Sequence, residues 1–160
     1  HDEIDDPLKS AQVLQAHVDE GLKFARKNRL PKPIANFIPE HQGTLKMGYF
    51  LHKAEEKKLN IKENDFRYKG AIPQSKETAI LMLADGCEAA LRAMDIYASD
   101  DQALETISNI VSSRQIDGQL DDSYLSKGEI YLIKKSFLIV WKRIRHRRIQ
   151  YPTTKNNTFS

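Results

Sequence analysis

Residues 79–94 read A-I-L-M-L-A-D-G-C-E-A-A-L-R-A-M, a run built almost wholly of good helix formers and apolar on more than one face. A helix that is apolar all round is a buried helix, so this segment predicts the centre of an α-helical core. Asp85 stands in its middle. An ionised carboxylate is costly to bury unless it is paired or bound to a metal. The sequence therefore predicts a cation opposite Asp85, either a metal ion or an arginine such as Arg92 or Arg114.

The rest of the chain reads as helices around that one. Asp5, Asp6 and Pro7 are a helix start, with acids at the N-terminus and proline in the first turn. The first helix runs to about Asn28, with Ala11, Leu14, Val18, Leu22 and Ala25 as its apolar stripe. Leu30-Pro31-Lys32-Pro33 breaks it. A second helix is predicted over roughly 34–41, and a third over 44–58 after a turn at Gly43. Residues 60–74 hold two Gly/Pro breaks and read as a long loop. Ser75 then caps the Asp85 helix, Ser99 or Asp100 starts the next, and Ser126 with Glu129 forms a capping box for the last. Alternation of the strand type is absent, so the fold class is all-α, about six helices in a single domain.

Composition limits what such a bundle could do. At 40% hydrophobic and 29% charged, 160 residues support one ordinary globular core. The single cysteine, Cys87, falls in the Asp85 helix and reads as packing. The opening six residues carry four acids and no cationic stretch, which predicts no secretory leader. The chain opens on His1 rather than Met, which reads as a processed product or a piece of something longer. The net charge of +3 is uneven: from Ser126 onward there are nine Lys/Arg and one acid. Such a basic end could meet RNA, anionic lipid or an acidic partner; a solvated helix face is the simpler reading.

No phosphate-cradling glycine loop and no paired-cysteine zinc motif is present. His17 borders the apolar stripe of the first helix and His41 ends the second. With Asp85 they make a plausible metal constellation drawn from three helices, of donors that suit Fe, Mn or Zn. Spacing alone favours a hydrogen-bonded core residue for each histidine. His52 and His146 read as surface, and His1-Asp2 sits at the terminus ahead of a helix. Glu88 and Arg92, at i,i+4, read as an intrahelical pair.

Several segments taken jointly carry a family resemblance. They are Ala16-His17-Val18, Arg29-Leu30-Pro31-Lys32-Pro33-Ile34 and Glu40-His41-Gln42-Gly43-Thr44. Then come Asp65-Phe66-Arg67-Tyr68, Pro73-Gln74-Ser75-Lys76-Glu77, Leu83-Ala84-Asp85, Asp117-Gly118-Gln119-Leu120-Asp121 and Arg148-Ile149-Gln150-Tyr151-Pro152. Together they resemble the cytosolic HD domain of the seven-transmembrane HD receptors, the PgpH type of cyclic di-AMP phosphodiesterase, over nearly the whole chain to about Pro152.

The resemblance implies an HD-domain-like helical bundle with two transition-metal ions, iron or manganese, hydrolysing cyclic di-AMP to the linear dinucleotide. His17, His41 and Asp85 fall on the family's metal-ligand positions. Gln42 falls where the family commonly has the second histidine of H-H-G-T. An amide is a poor substitute for imidazole on iron, so its carbonyl oxygen or a water would have to serve there. Arg67, Lys76 and Arg92 are candidate contacts for the phosphodiester. The family's upstream histidine and its His-Asp pair fall before residue 1. The expectation is thus an HD-type domain over 1–152 lacking its N-terminal part, with 153–160 a disordered tail, and a fragment whose own turnover is poor. The implied setting is the cytoplasmic side of an inner membrane, tethered to the parent's own membrane helices. A homodimer is possible and no nucleic-acid polymer is expected. The alternative is a non-catalytic nucleotide-binding or signalling domain with a degenerate metal site, and a third reading is a helical interaction module using the basic C-terminus.

Overall fold

The computed structural model describes residues 6–150. The expectations for His1-Asp2, for Tyr151-Pro152 and for the tail 153–160 lie outside the described residues. Helix α1 spans Pro7–Lys27, α2 Lys32–Ala35, α3 Phe37–Glu40, α4 Gly48–Glu56, α5 Lys76–Arg92, α6 Asp100–Ile116 and α7 Lys127–Gln150. A 3-10 turn, Glu63–Phe66, sits in the long loop. No strand forms among the described residues beyond an isolated antiparallel bridge, Lys46 to Arg67. The all-α class predicted from sequence is the one observed.

Local signals set most helix starts. Asp6 Oδ1 accepts the Leu8 and Lys9 amides ahead of Pro7. Ser75 Oγ accepts the Thr78 amide, Ser99 and Gln102 cap one another, and Ser126 and Glu129 do likewise. Each such cap satisfies amides the first turn leaves unpaired and contributes about 1 kcal/mol.

Two predicted helices differ. The second is interrupted at Asn36 into two single turns, α2 and α3. The third begins at Gly48, not Thr44, because residues 43–47 pair with 66–70 instead. The Met47 amide donates to Phe66 O (2.7 Å), Tyr68 N to Leu45 O (3.0 Å) and Gly70 N to Gly43 O (3.0 Å). The Met47 amide and the Gly43 and Leu45 carbonyls thus have partners outside a helix, and the helix starts after them.

Apolar residues gather in two clusters. One joins α5, α6 and α7 through Ala79, Leu83, Cys87, Ile107, Val111, Leu120 and Ile133. The other joins α1, α4 and the 3-10 turn through Ala11, Met47, Ala54 and Phe66. Helix α3 bridges them by touching both α1 and α5.

Helix α5 is not buried all round, and this corrects the first expectation. Thr78, Ala79, Met82, Leu83 and Cys87 face the core, whereas Ile80 and Leu81 are 37% and 40% exposed and Asp85 is exposed. Much of the segment's apolar count is alanine, which tolerates either environment. Its large core-facing residues mark one face only, an ordinary amphipathic helix. Leu104, Val140 and Ile144 are also exposed. Among the described residues no helix is long and apolar enough to cross a membrane.

Candidate metal and phosphate site

His17 lies on the exposed face of α1, and His41 follows α3 directly. Their rings approach edge to face with centroids 5.9 Å apart. Both imidazoles are held the same way. His17 Nδ1 donates to the Leu14 carbonyl, and His41 Nδ1 sits 2.6 Å from Ile38 O and 3.0 Å from Phe37 O. A carbonyl only accepts, so Nδ1 carries the proton in each ring, and in the neutral imidazole the lone pair is then on Nε2. That tautomer can ligate a metal through Nε2, oriented by the backbone carbonyl that Nδ1 meets. The donor set therefore fits a borderline metal such as Fe, Mn or Zn.

Tyr68 packs edge-on against His17, at 5.9 Å between centroids. Burial, and then the charge of Asp85, push its phenol above the ordinary range. Tyr68 thus touches His17 and feels the charge of Asp85. The Asp85 carboxylate makes no hydrogen bond or ion pair among the described residues. It acts at longer range on Arg114, which crosses α5 at the next residue, Gly86. The three predicted ligands come from α1, the end of α3 and α5, but they do not close into a cage. Among the described residues, no group of three His, Cys, Asp or Glu side chains is arranged to hold a metal ion. Gln42 is half-buried, and its amide makes no hydrogen bond among those residues.

The loop carrying His41 and Gln42 is clamped at both ends. On one side Glu40, 4% exposed, accepts the Gln74 amide (2.6 Å) and the Thr78 hydroxyl (3.0 Å), tying α3 to the start of α5. On the other, Gln119, 1% exposed, accepts the Thr44 amide (3.1 Å) and donates to Thr44 Oγ1 (2.9 Å) and Asp117 Oδ2 (3.0 Å). Glu40, Asp117 and Gln119 have roles that sequence reasoning did not assign. The Asp117–Asp121 segment was visible only as part of the resemblance.

The three candidate phosphate cations are otherwise engaged. Arg67 donates to Thr44 O (2.9 Å), bidentately to Asp117 (3.1 and 3.0 Å) and to Glu63 (2.9 Å), so it belongs to the clamp. Lys76 pairs with Glu129 of α7 at 2.6 Å. Arg92 pairs with Glu88 at 3.5 Å, the i,i+4 contact read from the sequence. A cavity of about 530 Å³ between α5 and α7, lined by residues such as Leu91, Phe137 and Trp141, holds neither histidine nor Asp85.

The clamp has a pH signature. The Arg67 hydrogen bond, assisted by Gln119, holds the Asp117 carboxyl below its ordinary range despite some burial. A carboxylate with a depressed folded-state pKa adds stability above its unfolded pKa of about 3.9, lost as pH falls through the folded value. Asp117→Asn is expected to cost about 1–3 kcal/mol at pH 7, the scale of hydrogen bonds to charged groups. It should also flatten the acid limb below about pH 4. Urea melts between pH 7 and pH 3 measure both; an unchanged acid limb in the variant would show that Asp117 does not carry it.

No protein-family model matches the chain. It is 44% identical over 157 residues to an uncharacterized protein of Synechocystis sp., aligning 95% of this chain with 19% of that one. It is 34% identical to the cyclic-di-AMP phosphodiesterase PgpH of Listeria monocytogenes, over 98% of this chain and 21% of the relative. It is 35% identical to the Bacillus subtilis protein of the same name, over 95% and 21%. The chain thus spans about a fifth of the length of these relatives. Among solved structures, the L. monocytogenes PgpH HD domain superposes with a TM-score of 0.82 at 32% identity, over 91% of this chain and 67% of that one. The same domain in complex with cyclic-di-AMP gives 0.84 at 32% identity, over 90% and 66%. Likeness in sequence and in backbone, sustained across nine-tenths of the residues, places this chain in the family of PgpH-type HD domains.

Proposed function

We propose that this domain serves a metal-dependent phosphodiesterase that opens cyclic di-AMP to the linear dinucleotide. The observation that carries the reading is the pair of imidazoles, His17 and His41, each with Nδ1 tied to a backbone carbonyl and Nε2 left as a donor. His17, His41 and Asp85 would hold the metal, with Gln42 offering its free amide oxygen. The relatives named as cyclic-di-AMP phosphodiesterases, and the related domain that binds the nucleotide, support the substrate. Two ions, iron or manganese, are the expected complement. When bound, such ions supply Lewis acidity toward the phosphodiester and a nucleophile at neutral pH. The protein's part is positional: carbonyls fix both imidazole tautomers, and Glu40 and Gln119 fix the loop bearing His41 and Gln42.

Three ligands and an amide are too few for a dinuclear site. We infer that residues 1–152 form the C-terminal portion of the HD domain and that the remaining ligands come from chain preceding His1. On this reading the domain lies on the cytoplasmic side of the inner membrane, attached to the membrane helices of its parent. The test compares metal content and cyclic di-AMP hydrolysis for these 160 residues and for a chain extended upstream through the whole domain. With Mn²⁺ or Fe²⁺ the extended chain should turn over and the short one poorly or not at all. Silence from the metal-loaded extended chain refutes the enzymatic reading; full activity in the short chain refutes the need for upstream ligands.

Gln42 supports a second reading, a domain that binds the nucleotide and signals without cleaving it. Gln42→His should then create or raise activity in the extended chain, and a fast wild type excludes it.

A further inference from the structure

One cation near Asp85 differs from Arg67, Lys76 and Arg92 in having no carboxylate in contact among the described residues. Arg114 projects from the last turn of α6 across α5 at Gly86. A Cβ on Gly86 would stand 2.9 Å from Arg114 Nη2 and 3.2 Å from Ile110 Cγ2, so the guanidinium occupies a slot that only glycine leaves open. Its Nε is buried and has no hydrogen-bond partner among the described residues. Its one hydrogen bond among the described residues runs from Nη1 to Ser113 Oγ at 3.0 Å.

A guanidinium presents several N–H donors in a fixed fork, and all but the one on Ser113 have no acceptor among the described residues. Burial pulls its pKa down, and the Asp117 and Asp85 carboxylates oppose that from a distance. Asp117 does not answer the need, since Arg67 and Gln119 already engage both its oxygens. A part-buried, under-partnered cation is costly unless an anion completes it. A phosphodiester is such an anion, and a planar fork matches two of its oxygens.

We propose that Arg114, held in the Gly86 slot beside Asp85, is the cation that binds a phosphate of the dinucleotide. This rests on the functional reading above. It assigns to Arg114 the contact that Arg67, Lys76 and Arg92 were candidates for.

The test uses the upstream-extended chain loaded with Mn²⁺, with cyclic di-AMP as substrate, and reads KM, kcat, Mn²⁺ affinity and melting temperature. Arg114→Gln should raise KM about tenfold, the scale of one charge-assisted contact, and leave Mn²⁺ affinity within about twofold. Arg114→Lys should fall between, keeping the charge and losing the fork. Gly86→Ala should raise KM with Arg114 still present, because the added methyl displaces the guanidinium. An unchanged KM in Arg114→Gln overturns the proposal. So does a loss of Mn²⁺ affinity without a change in KM, which would make Arg114 a support for Asp85. If Arg114→Gln fails to fold, wild-type KM in both Arg114→Lys and Gly86→Ala overturns it too. Absence of turnover in the wild type removes the functional reading and this proposal together, whereas turnover with KM indifferent to Arg114 removes only this proposal.

Discussion

Asp85→Asn is expected to lower cyclic di-AMP hydrolysis by the metal-loaded, upstream-extended chain about 100-fold or more, because even residues that merely support metal ligands cost about 10–100-fold. Stability should barely move. The Asp85 carboxylate is exposed and makes no ion pair among the described residues, and substitutions of that kind stay within about 0.5 kcal/mol. Dissociation of activity from stability is therefore the signature of a ligand, and the opposite pattern is the signature of a structural carboxylate. Three measurements decide it: Mn²⁺ affinity, steady-state hydrolysis and the melting temperature in metal-free buffer. The expected result is weakened Mn²⁺ binding, lost turnover and an unmoved melting temperature. A fall of several degrees in metal-free buffer, with Mn²⁺ binding intact, would mean that a protein cation holds Asp85, with Arg114 as the partner to examine.

That expectation reverses what the sequence suggested about Asp85, and the reason is physical. Helix boundaries were legible wherever a few neighbouring residues decide them, as at Asp6-Pro7, Ser75 and Ser126–Glu129, because a cap is a contact between residues two or three apart. Burial is a tertiary quantity. The alanines of α5 are compatible with core and with solvent, so composition could not say which side Asp85 would take. The false start of the third helix at Thr44 has the same origin: the segment is captured by residues 66–70, well beyond the reach of local sequence signals.

The clamp around His41 was out of reach for a further reason. Gln119 meets Thr44 across 75 residues, and Arg67 meets Asp117 across 50. A glutamine or an arginine in sequence does not announce which backbone amide it will bond. The pairing of His17 with His41 was only weakly legible from helix position, where a hydrogen-bonded core residue was the better reading of each; the family resemblance strengthened it, and the edge-to-face rings and matching Nδ1 contacts now give it a geometry. Arg67 shows the converse error. It had the right charge for a phosphate contact, but its donors are engaged by Asp117, Glu63 and Thr44 O.

Gly43 is a tight point of the clamp, and Gly43→Ala is expected to destabilise the domain by about 2–5 kcal/mol, the sum of two effects. The backbone at Gly43 has φ of +51°, in the left-handed region where a side chain costs about 1–2 kcal/mol. A Cβ there would also stand 2.6 Å from Gln119 Oε1 and 2.8 Å from Met82 Cε. The methionine tip can swing aside, but Gln119 is fully buried and cannot retreat without releasing the Thr44 amide, and each buried polar group left unpaired costs about 1–3 kcal/mol. The contributions are separable, because the backbone strain is indifferent to residue 119 whereas the clash depends on it. Gln119→Ala should itself be destabilising, yet Gly43→Ala should cost about 1–2 kcal/mol in that background, a coupling of the size found for residues in direct contact. Urea denaturation of the four chains in this cycle measures it. Strict additivity would show that the cost of Gly43→Ala lies in its backbone alone and that the Gln119 side chain does not hold the His41 loop in place.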